Sequence, residues 1–264
     1  MILDGRKLAH QIADDLASQK VPEGKLAVVQ VGSDPVSTLY VSKKKEMADT
    51  LRVQFLLAKF DEQIGQQELI SEIKKLNQDD LIRGIIVQIP LPSHIDRLKI
   101  AGSVAWQKDI DGFHYILQSQ NFSCVPPTVL AIVELLDFYK IPIQGQKIII
   151  VGGGFLVGQP LFNFFKNKDL DVRILEKNDA GYEKILFDAD IAVVSTGGGR
   201  EFKQEEFKDG ATIIDASTVS EEGKIKGDIV YDESWPTSKN IAPVPGGVGP
   251  VTVAMLFKNF YFNL

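Results

Sequence analysis

Three side chains capable of chemistry share one spacing in the N-terminal part of the chain. Ser37, Tyr40 and Lys44 lie at positions i, i+3 and i+7. In a helix this spacing puts a hydroxyl, an aromatic ring and an amine on one face. A flat aromatic substrate could stack on the ring while the amine transfers a proton. The triplet of residues 43–45 also permits a plainer interpretation, a solvated face of lysines.

A second unusual segment is Pro243-Val244-Pro245-Gly246-Gly247-Val248-Gly249-Pro250. Proline fixes φ and lacks an N–H donor, while glycine adopts backbone angles closed to other residues. The segment therefore predicts a rigid loop that is neither helix nor strand, shaped for the close approach of another group.

Composition limits the class of protein. The chain has 264 residues, 44% of them hydrophobic and 24% charged, which indicates a globular protein of one large or two ordinary domains. A net charge of −6 argues against a nucleic-acid partner, because phosphates need a basic surface. No apolar run approaches the roughly 20 residues that span a bilayer, and the first residues lack a secretion-signal pattern. We expect a cytoplasmic protein without a membrane partner.

The residues that bind metals most often are scarce and badly spaced. One cysteine, Cys124, excludes an intramolecular disulfide and a cysteine-rich metal site. Three histidines, His10, His94 and His114, share no metal-ligand spacing. The sequence therefore predicts no metal site.

Strands and helices alternate, which predicts an α/β fold with parallel sheets and crossover helices. The expected strands are 25–32, 53–60, 84–90, 146–151, 171–175, 190–195 and 211–215. The expected helices are 37–51, 65–77, 128–140, 158–166, 180–187 and 251–264. The break at Pro126-Pro127 separates two such series, so we expect two domains.

The second series contains a glycine turn, Gly152-Gly153-Gly154-Phe155-Leu156-Val157-Gly158, between an apolar strand and a helix. Backbone N–H groups at a helix N-terminus suit a pyrophosphate. The G-x-G-x-x-G spacing is met only in part, because the last glycine falls one residue late, so a simple tight turn remains the alternative. A second cluster, residues 197–199, would lie at a cofactor crevice if the strand order reverses nearby.

Five collinear blocks carry a family resemblance. They are Ile2-Leu3-Asp4-Gly5, the segment 31–44 (VGSDPVSTLYVSKK), the segment 84–92 (GIIVQIPLP), the segment 108–113 (KDIDGF), and the proline-glycine segment 243–250. With them the chain resembles the bifunctional methylenetetrahydrofolate dehydrogenase/methenyltetrahydrofolate cyclohydrolases, the FolD family, over nearly its whole length.

The resemblance implies both a fold and a function. An N-terminal α/β folate-binding catalytic domain would comprise residues 1–121 and 251–264, the C-terminal helix returning to it, and a Rossmann-like NAD(P)-binding domain would comprise 122–250. The enzyme would oxidise 5,10-methylenetetrahydrofolate with NAD or NADP and hydrolyse the 5,10-methenyl product to 10-formyltetrahydrofolate, in one-carbon metabolism. A homodimer is also implied.

The resemblance also assigns roles to residues. Lys44 would be the catalytic acid/base, Gln88 would hydrogen-bond its amine, and Tyr40 would stack on the folate rings. Asp111 would accept from the paired donors of the pterin, although Asp-Gly is also a common turn. The other substrate-binding residues would be Ser37, Pro245, Gly246 and Gly247. The cofactor-binding residues would be Gly152, Gly153, Gly154, Val157, Gly158, Glu176, Lys177, Thr196, Gly197 and Thr218.

The departures from the family concentrate in the cofactor half. Pro126-Pro127-Thr128-Val129 replaces Pro-Cys-Thr-Pro, Ala242 replaces a threonine, and Ala216-Ser217-Thr218 replaces Val-Gly-Ile. Two alternatives therefore stay open: a cyclohydrolase or folate-binding protein whose dinucleotide site has decayed, and an unrelated two-domain dehydrogenase. The second would leave the set of Tyr40, Lys44, Gln88 and Asp111 unexplained.

The cofactor turn favours NAD over NADP. Where NADP-using members carry Arg-Ser in the turn and His-Ser after the next strand, this chain has Gly153-Gly154 and Glu176-Lys177. Glu176 lies close to the spacing at which an acidic residue binds the ribose 2′-hydroxyl in NAD-binding folds. Its carboxylate would repel a 2′-phosphate, whereas Lys177 would attract one if its side chain pointed there instead.

Overall fold

The chain forms two compact units in the computed structural model, which describes residues 1–221, 224–232 and 235–262. The first unit contains His10–Pro127 and the C-terminal segment from Val253, and the second contains Met1–Ala9 and Thr128–Thr252. No helix in the described part of the chain is both long and apolar enough to span a bilayer.

The first unit is built on a three-stranded parallel sheet. Its elements are α1 Gly5–Ala17 (which begins in the second unit), β1 Lys25–Val31, α2 Pro35–Thr50, β2 Gln54–Phe60, α3 Gln66–Gln78, β3 Ile82–Val87, α4 Arg97–Ala101, a 3₁₀ turn Trp106–Lys108 and α5 Phe113–Ile116. The strand order is β2-β1-β3. The central strand β1 is apolar and buried along almost its whole length, as a parallel strand covered on both faces requires.

The second unit is a five-stranded parallel sheet with helices and one hairpin. Its elements are α6 Pro127–Phe138, β4 Ile148–Val151, α7 Gly158–Lys166, β5 Val172–Leu175, α8 Tyr182–Phe187, β6 Ile191–Val194, a 3₁₀ turn Gln204–Glu206, β7 Thr212–Asp215, the antiparallel pair β8 Val219–Glu221 and β9 Lys224–Lys226, β10 Asn240–Ala242 and α9 Val248–Phe262. The strand order is β10-β7-β6-β4-β5.

The strand order of the second unit reverses at β4, because β5 lies on one side of it and β6 on the other. In open parallel sheets the carboxyl ends of the strands at such a switch point form the ligand-binding crevice. The second glycine cluster follows β6 and lies beside this reversal, which is the condition under which the sequence would place a cofactor crevice there.

The N-terminal residues extend the second unit at the edge strand β10. Ile2 pairs in parallel with Ile241, and the N–H of Leu3 donates to the carbonyl of Ile241 at 2.7 Å. The N–H of Gly5 donates to the carbonyl of Gly246 at 2.8 Å. A Cβ at Gly5 would lie 1.8 Å from the carbonyl oxygen of Gly247, so only glycine fits there. Two motifs at opposite ends of the sequence thus meet in one unit.

The predicted alternation of strands and helices is confirmed, with three differences. The third strand begins and ends earlier than expected, at Ile82 and Val87, because Pro90 and Pro92 cannot continue a ladder. The last helix begins at Val248, within the predicted loop, because the first turn of a helix tolerates proline where no N–H is needed. Its segment from Val253 belongs to the first unit, and residues 263 and 264, the end of the predicted helix, lie outside the described residues. The prediction also omits α1, α4, α5, the two 3₁₀ turns, the hairpin and β10.

Candidate active site and nucleotide-binding turn

Helix α2 carries the Ser37, Tyr40 and Lys44 set. The helix begins with Asp34 as its N-cap, whose Oδ1 accepts the N–H of Ser37 at 2.8 Å, and with Pro35 in its first turn. Ser37 and Lys44 are buried and Tyr40 is partly buried. The hydroxyl of Ser37 is a buried polar group without a hydrogen-bond partner among the described residues. The predicted face therefore points inward rather than forming a solvated lysine surface.

Gln88 follows β3 directly and holds the amine of Lys44. Its backbone N–H donates to the carbonyl of Val29 at 2.8 Å, which continues the strand ladder by one bond. Its side-chain Nε2 donates to the carbonyl of Ile89 at 2.7 Å, so its Oε1 faces Lys44 and accepts from Nζ at 2.9 Å. Both side chains are buried. The amide orientation is thus fixed by the Ile89 carbonyl, and the amine is held in one place.

At this site the opposite charges of Lys44 and Asp111 partly offset the effect that burial has on the pKa of each. Burial lowers the pKa of Lys44, and the carboxylate of Asp111 partly offsets that shift. Burial raises the pKa of Asp111, and the charge of Lys44 counteracts it. A lysine of lowered pKa has a neutral amine available as a proton acceptor closer to neutral pH. The arrangement therefore supports proton transfer at Lys44 Nζ.

The loop carrying Asp111 is held by its neighbour Asp109, which is fully buried. Oδ2 of Asp109 accepts the N–H of His114 at 2.7 Å, and the Asp109 carbonyl accepts from Ser123 Oγ at 2.8 Å and from Cys124 Sγ at 3.1 Å. Burial raises the pKa of Asp109 to about 6 against the opposing effect of backbone hydrogen bonds. These bonds fix both ends of the turn that presents Asp111.

Gly112 and the last helix, α9, also hold this loop in place. Gly112 adopts φ +75°, and a Cβ there would lie 2.6 Å from the nitrogen of Pro126. Nδ2 of Asn259 in α9 donates to the carbonyls of Ile110 at 3.0 Å and Val125 at 3.1 Å. The Asp111 turn is thus clamped within the first unit by residues far apart in sequence.

In the second unit, the glycine turn between β4 and α7 leaves backbone accessible that side chains at those positions would cover. Gly152 adopts φ +89°, and a Cβ at Gly158 would lie 1.9 Å from the Gly152 carbonyl oxygen. Gly154 has nearly open space where a Cβ would stand, and Val157 precedes the helix as its N-cap. A bare turn at a helix N-terminus and at the switch point fits the pyrophosphate of a dinucleotide.

Glu176 reaches the same turn from the end of β5. Its Oε1 accepts the N–H of Gly153 at 2.8 Å, and a Cβ on Gly153 would meet that oxygen at the same distance. Glu176 and Lys177 are both exposed, and the N–H of Glu176 donates to Asp179 Oδ2 at 3.3 Å. A carboxylate therefore stands beside the turn, and its second oxygen can accept from a further donor.

The second glycine cluster forms an exposed loop after β6. Thr196 is partly buried there, while Gly197 and Gly198 adopt φ +66° and +89°. A Cβ at Gly152 would lie 3.0 Å from the carbonyl oxygen of Ser195, so the two glycine turns adjoin. Thr218, beyond the end of β7, is partly buried.

The proline-glycine segment is a tight turn in the second unit. The Val244–Pro245 peptide is cis, Gly246 adopts φ +115°, and the N–H of Gly247 donates to the Pro243 carbonyl at 2.8 Å. Its contacts with Gly5 bring this turn and the segment 2–5 together within the second unit. The structure places Pro245, Gly246 and Gly247 in this turn and the Lys44 set in the other unit.

His94 and His114 contact backbone carbonyl or hydroxyl oxygens, and His10 is exposed. His114 Nε2 lies 2.7 Å from the Val104 carbonyl and its Nδ1 lies 3.1 Å from Ser119 Oγ. Within the described residues, no group of three or more His, Cys, Asp or Glu side chains is arranged to hold a metal ion.

Sequence reasoning missed three carboxylates that organise these loops, Asp109, Asp215 and Asp228. Each is buried and accepts backbone N–H groups. The available signal was an acidic residue beside an apolar run, as in Asp228 before Ile229, because a carboxylate buried among apolar residues must find donors.

Two family models match the chain. The model described as tetrahydrofolate dehydrogenase/cyclohydrolase, catalytic domain, matches residues 3–111, and that described as its NAD(P)-binding domain matches residues 126–263. The "Bifunctional protein FolD" of Staphylococcus saprophyticus is 37% identical over 271 residues, covering 98% of this chain and 94% of that protein. The protein of that name from Halothermothrix orenii is also 37% identical, with 98% and 95% covered.

Two solved structures are similar to this chain over nearly its whole length. The bifunctional FolD enzyme of Campylobacter jejuni matches with a TM-score of 0.89 at 32% identity, over 99% of this chain and 97% of that one. The Trypanosoma brucei dehydrogenase-cyclohydrolase, solved with NADP cofactor and an inhibitor, matches with a TM-score of 0.88 at 28% identity, over 98% and 95%.

Proposed function

Because this chain belongs to the tetrahydrofolate dehydrogenase/cyclohydrolase family, we propose how its residues carry out the two reactions. The enzyme oxidises 5,10-methylenetetrahydrofolate to the 5,10-methenyl compound and hydrolyses that compound to 10-formyltetrahydrofolate. The first reaction uses a nicotinamide cofactor, and both belong to one-carbon metabolism.

The hydrolysis is assigned to Lys44 and Gln88. Water attacks the cationic methenyl carbon, and the ring then opens as protons move between oxygen and nitrogen. A neutral amine at Lys44 accepts a proton in the attack and returns one as the carbon–nitrogen bond breaks. Gln88 keeps Nζ in position through the 2.9 Å hydrogen bond, and its own amide is fixed by Ile89. This hydrogen-bonded, buried amine is the observation that carries the proposal.

Substrate binding is assigned to the groups around that amine. Asp111 offers two carboxylate acceptors to the paired donors of the pterin. Tyr40 provides a ring for stacking, and the hydroxyl of Ser37 is a buried polar group that a substrate atom could satisfy. For Pro245, Gly246 and Gly247 the assignment rests on the family motif.

The oxidation needs positioning more than acid–base catalysis. A bound nicotinamide would supply the acceptor for the hydride that the methylene carbon loses. Gly152, Gly153, Gly154, Val157 and Gly158 would hold the pyrophosphate at the start of α7. Thr196, Gly197 and Thr218 would line the same crevice. The bare, close-packed turn favours a working dinucleotide site over a decayed one.

We propose that NAD is preferred to NADP. The Glu176 carboxylate beside Gly153 can accept hydroxyl hydrogen bonds from a ribose but repels a phosphate. At about 4 Å and partial screening this repulsion amounts to about 1–4 kcal/mol. Gly153 and Gly154 offer no side chain to a 2′-phosphate, while the exposed Lys177 is the residue that would oppose the preference.

We also propose a cytoplasmic homodimer with domains 1–121 plus 251–264 and 122–250. The dimer is supported by β2, an edge strand of its sheet on which Leu56 and Leu57 are 37% and 42% exposed. Residues 1–9 are the part of the domain boundary to test, because their hydrogen bonds run to residues 239–246. Sedimentation of the purified chain measures its oligomeric state, and limited proteolysis locates the domain boundary.

The test of the catalytic assignment is Lys44→Met. We expect loss of at least a hundredfold in methenyl hydrolysis, an unchanged unfolding temperature within a few degrees, and retained folate binding. Lys45→Met is the matched control, because the side chain of Lys45 is exposed and paired with Asp49. Hydrolysis at the wild-type rate by a folded Lys44→Met protein would rule the assignment out.

A further inference from the structure

We infer that Asp228 is a positioning residue of the nucleotide site, where it fixes the loop of residues 196–199 after β6. The inference deepens the proposed function, because it presupposes that this crevice takes a dinucleotide. No dinucleotide contact is assigned to Asp228 itself.

Asp228 is 2% exposed and its two oxygens serve different parts of the loop. Oδ2 accepts the N–H of Thr196 at 3.0 Å, the Thr196 hydroxyl at 2.6 Å and the Ser217 hydroxyl. Oδ1 accepts the N–H of Gly198 at 2.9 Å. One buried carboxylate thus receives two backbone and two hydroxyl donors.

The two hydroxyls carry the effect of Asp228 to the rest of the loop. Oγ1 of Thr196 accepts the N–H of Gly199 at 3.1 Å, and Oγ of Ser217 accepts the N–H of Gly197 at 3.3 Å. Every backbone N–H from Thr196 to Gly199 therefore donates to Asp228 or to a hydroxyl bonded to it. Ser217 stands where the resemblance leads one to expect glycine, which would lack one of those hydroxyls.

The loop needs such support, because its own sequence gives it little. Three consecutive glycines have no side chain to pack and many accessible backbone conformations. A Cβ at Gly197 would meet nothing within 4 Å, so packing does not restrain it. The loop adjoins the Gly152 turn at the switch point of the sheet, and prearranging it lowers the ordering cost of binding.

A carboxylate is required at this position by the number and direction of the donors. Backbone N–H groups face both oxygens, and an N–H, unlike a hydroxyl, cannot turn to accept. Asparagine would direct its NH₂ group at the N–H of either Thr196 or Gly198. Asp228→Asn therefore breaks the arrangement with almost no change in volume.

Asp190→Asn is the matched control. Asp190 lies at the opposite end of β6 and accepts the N–H of Lys147 at 2.8 Å and Lys208 Nζ at 2.6 Å. The same substitution there perturbs the same strand without touching the loop. The probes are NADH and NADPH, titrated by fluorescence, together with the unfolding temperature and methenyl hydrolysis of each variant.

We expect Asp228→Asn to weaken binding of the nucleotide that the wild type prefers by tenfold or more, with hydrolysis within twofold of wild type. Asp190→Asn should lower the unfolding temperature and leave the nucleotide dissociation constant within twofold. The inference would be overturned if folded Asp228→Asn bound the nucleotide as tightly as the wild type, or if Asp228→Asn and Asp190→Asn weakened nucleotide binding equally.

Ser217→Ala keeps the inference testable if Asp228→Asn does not fold. Removing this hydroxyl leaves Asp228 in place and deprives only Gly197 of its acceptor, so we expect threefold to tenfold weaker binding. Unchanged affinity in that case would overturn the inference. Failure of the wild type to bind either nucleotide would refute the proposed nucleotide site, and the inference with it.

Discussion

Placing a negative charge beside the Lys44 amine tests its role most directly, and Gln88→Glu does so with no change in size. The Gln88 Oε1 lies 2.9 Å from Nζ, so the substitution turns a neutral acceptor into a carboxylate in contact with the amine. At an effective dielectric constant of 20, unit charges at such a distance interact by about 4–6 kcal/mol. Burying the new carboxylate offsets part of this energy.

Even half of that energy raises the pKa of Lys44 by about two units, since one unit corresponds to about 1.4 kcal/mol. Burial lowers this pKa in the native protein, so the neutral amine forms at a lower pH than in free lysine. If the neutral amine is the proton acceptor, hydrolysis rises with pH as Lys44 deprotonates. In Gln88→Glu that rise should move about two pH units upward, so the rate at pH values below the wild-type rise should fall about a hundredfold.

The assay follows the loss of methenyl absorbance across a pH series, corrected for the uncatalysed reaction. Gln88→Met removes the hydrogen-bond acceptor without adding charge, so it should lower the rate of hydrolysis without raising the pH at which that rate increases. Gln66→Glu adds the same charge where Oε1 already accepts the N–H of Asp96 at 2.9 Å, and should change neither quantity. A Gln88→Glu profile with its rise at the wild-type pH would refute the reasoning.

Three further predictions concern other parts of the two sites. Asp111→Ala should weaken folate binding by about 2–4 kcal/mol, because charge-assisted hydrogen bonds are lost, and should leave nucleotide affinity unchanged. Calorimetric titration measures this, and a folate affinity equal to that of the wild type would make Asp111 a turn residue only. As pH rises from 4 to 7, the free energy of unfolding of Asp109→Asn should increase by about 2–3 kcal/mol relative to that of the wild type, as measured by urea unfolding. The folded pKa of Asp109, about 6, exceeds the ordinary value, so its contribution is present at low pH and is lost as pH rises through about 6; a difference that does not vary with pH would contradict this. Glu176→Ser should narrow the ratio of kcat/KM for NAD over NADP and leave methenyl hydrolysis intact, whereas a wild-type preference for NADP of tenfold or more would exclude the role given to Glu176.

Periodicity in the sequence predicted most of the elements, and helical spacing placed Ser37, Tyr40 and Lys44 on one face. The partnership of Lys44 with Gln88 came from the family motif, because spacing cannot show which strand end faces which helix. The hairpin β8–β9 and the strand β10 escaped prediction, since each strand is only three residues long. Helix α1 was within reach, because Leu8, Ile12 and Leu16 recur at helical spacing and are buried.

For the loop-supporting carboxylates, an acidic residue beside an apolar run indicates that buried donors are needed, but the sequence does not show which donors they are. Asp228 meets Thr196 and Gly198 only because the chain pairs β6 with β7 and then returns after the hairpin. A residue whose partners are backbone N–H groups leaves no trace in the types of its partners. Gly5 is similar, since the oxygen of Gly247 that excludes a side chain there is also a backbone atom.

The interleaving of the two units determines when each can be completed as the ribosome makes the chain. The first nine residues belong with strands that emerge last, and Leu3 must wait for Ile241 before its hydrogen bond can form. The first unit waits longer still, because Asn259 ties down the Asp111 loop and a Cβ at Gly84 would meet Phe260 at 3.0 Å. We therefore expect nascent chains to expose an unfinished parallel sheet until α9 has been made, and unpaired strand edges of this kind favour aggregation. A fragment that ends before α9 lacks part of its own core, and neither unit is available as one uninterrupted stretch of sequence.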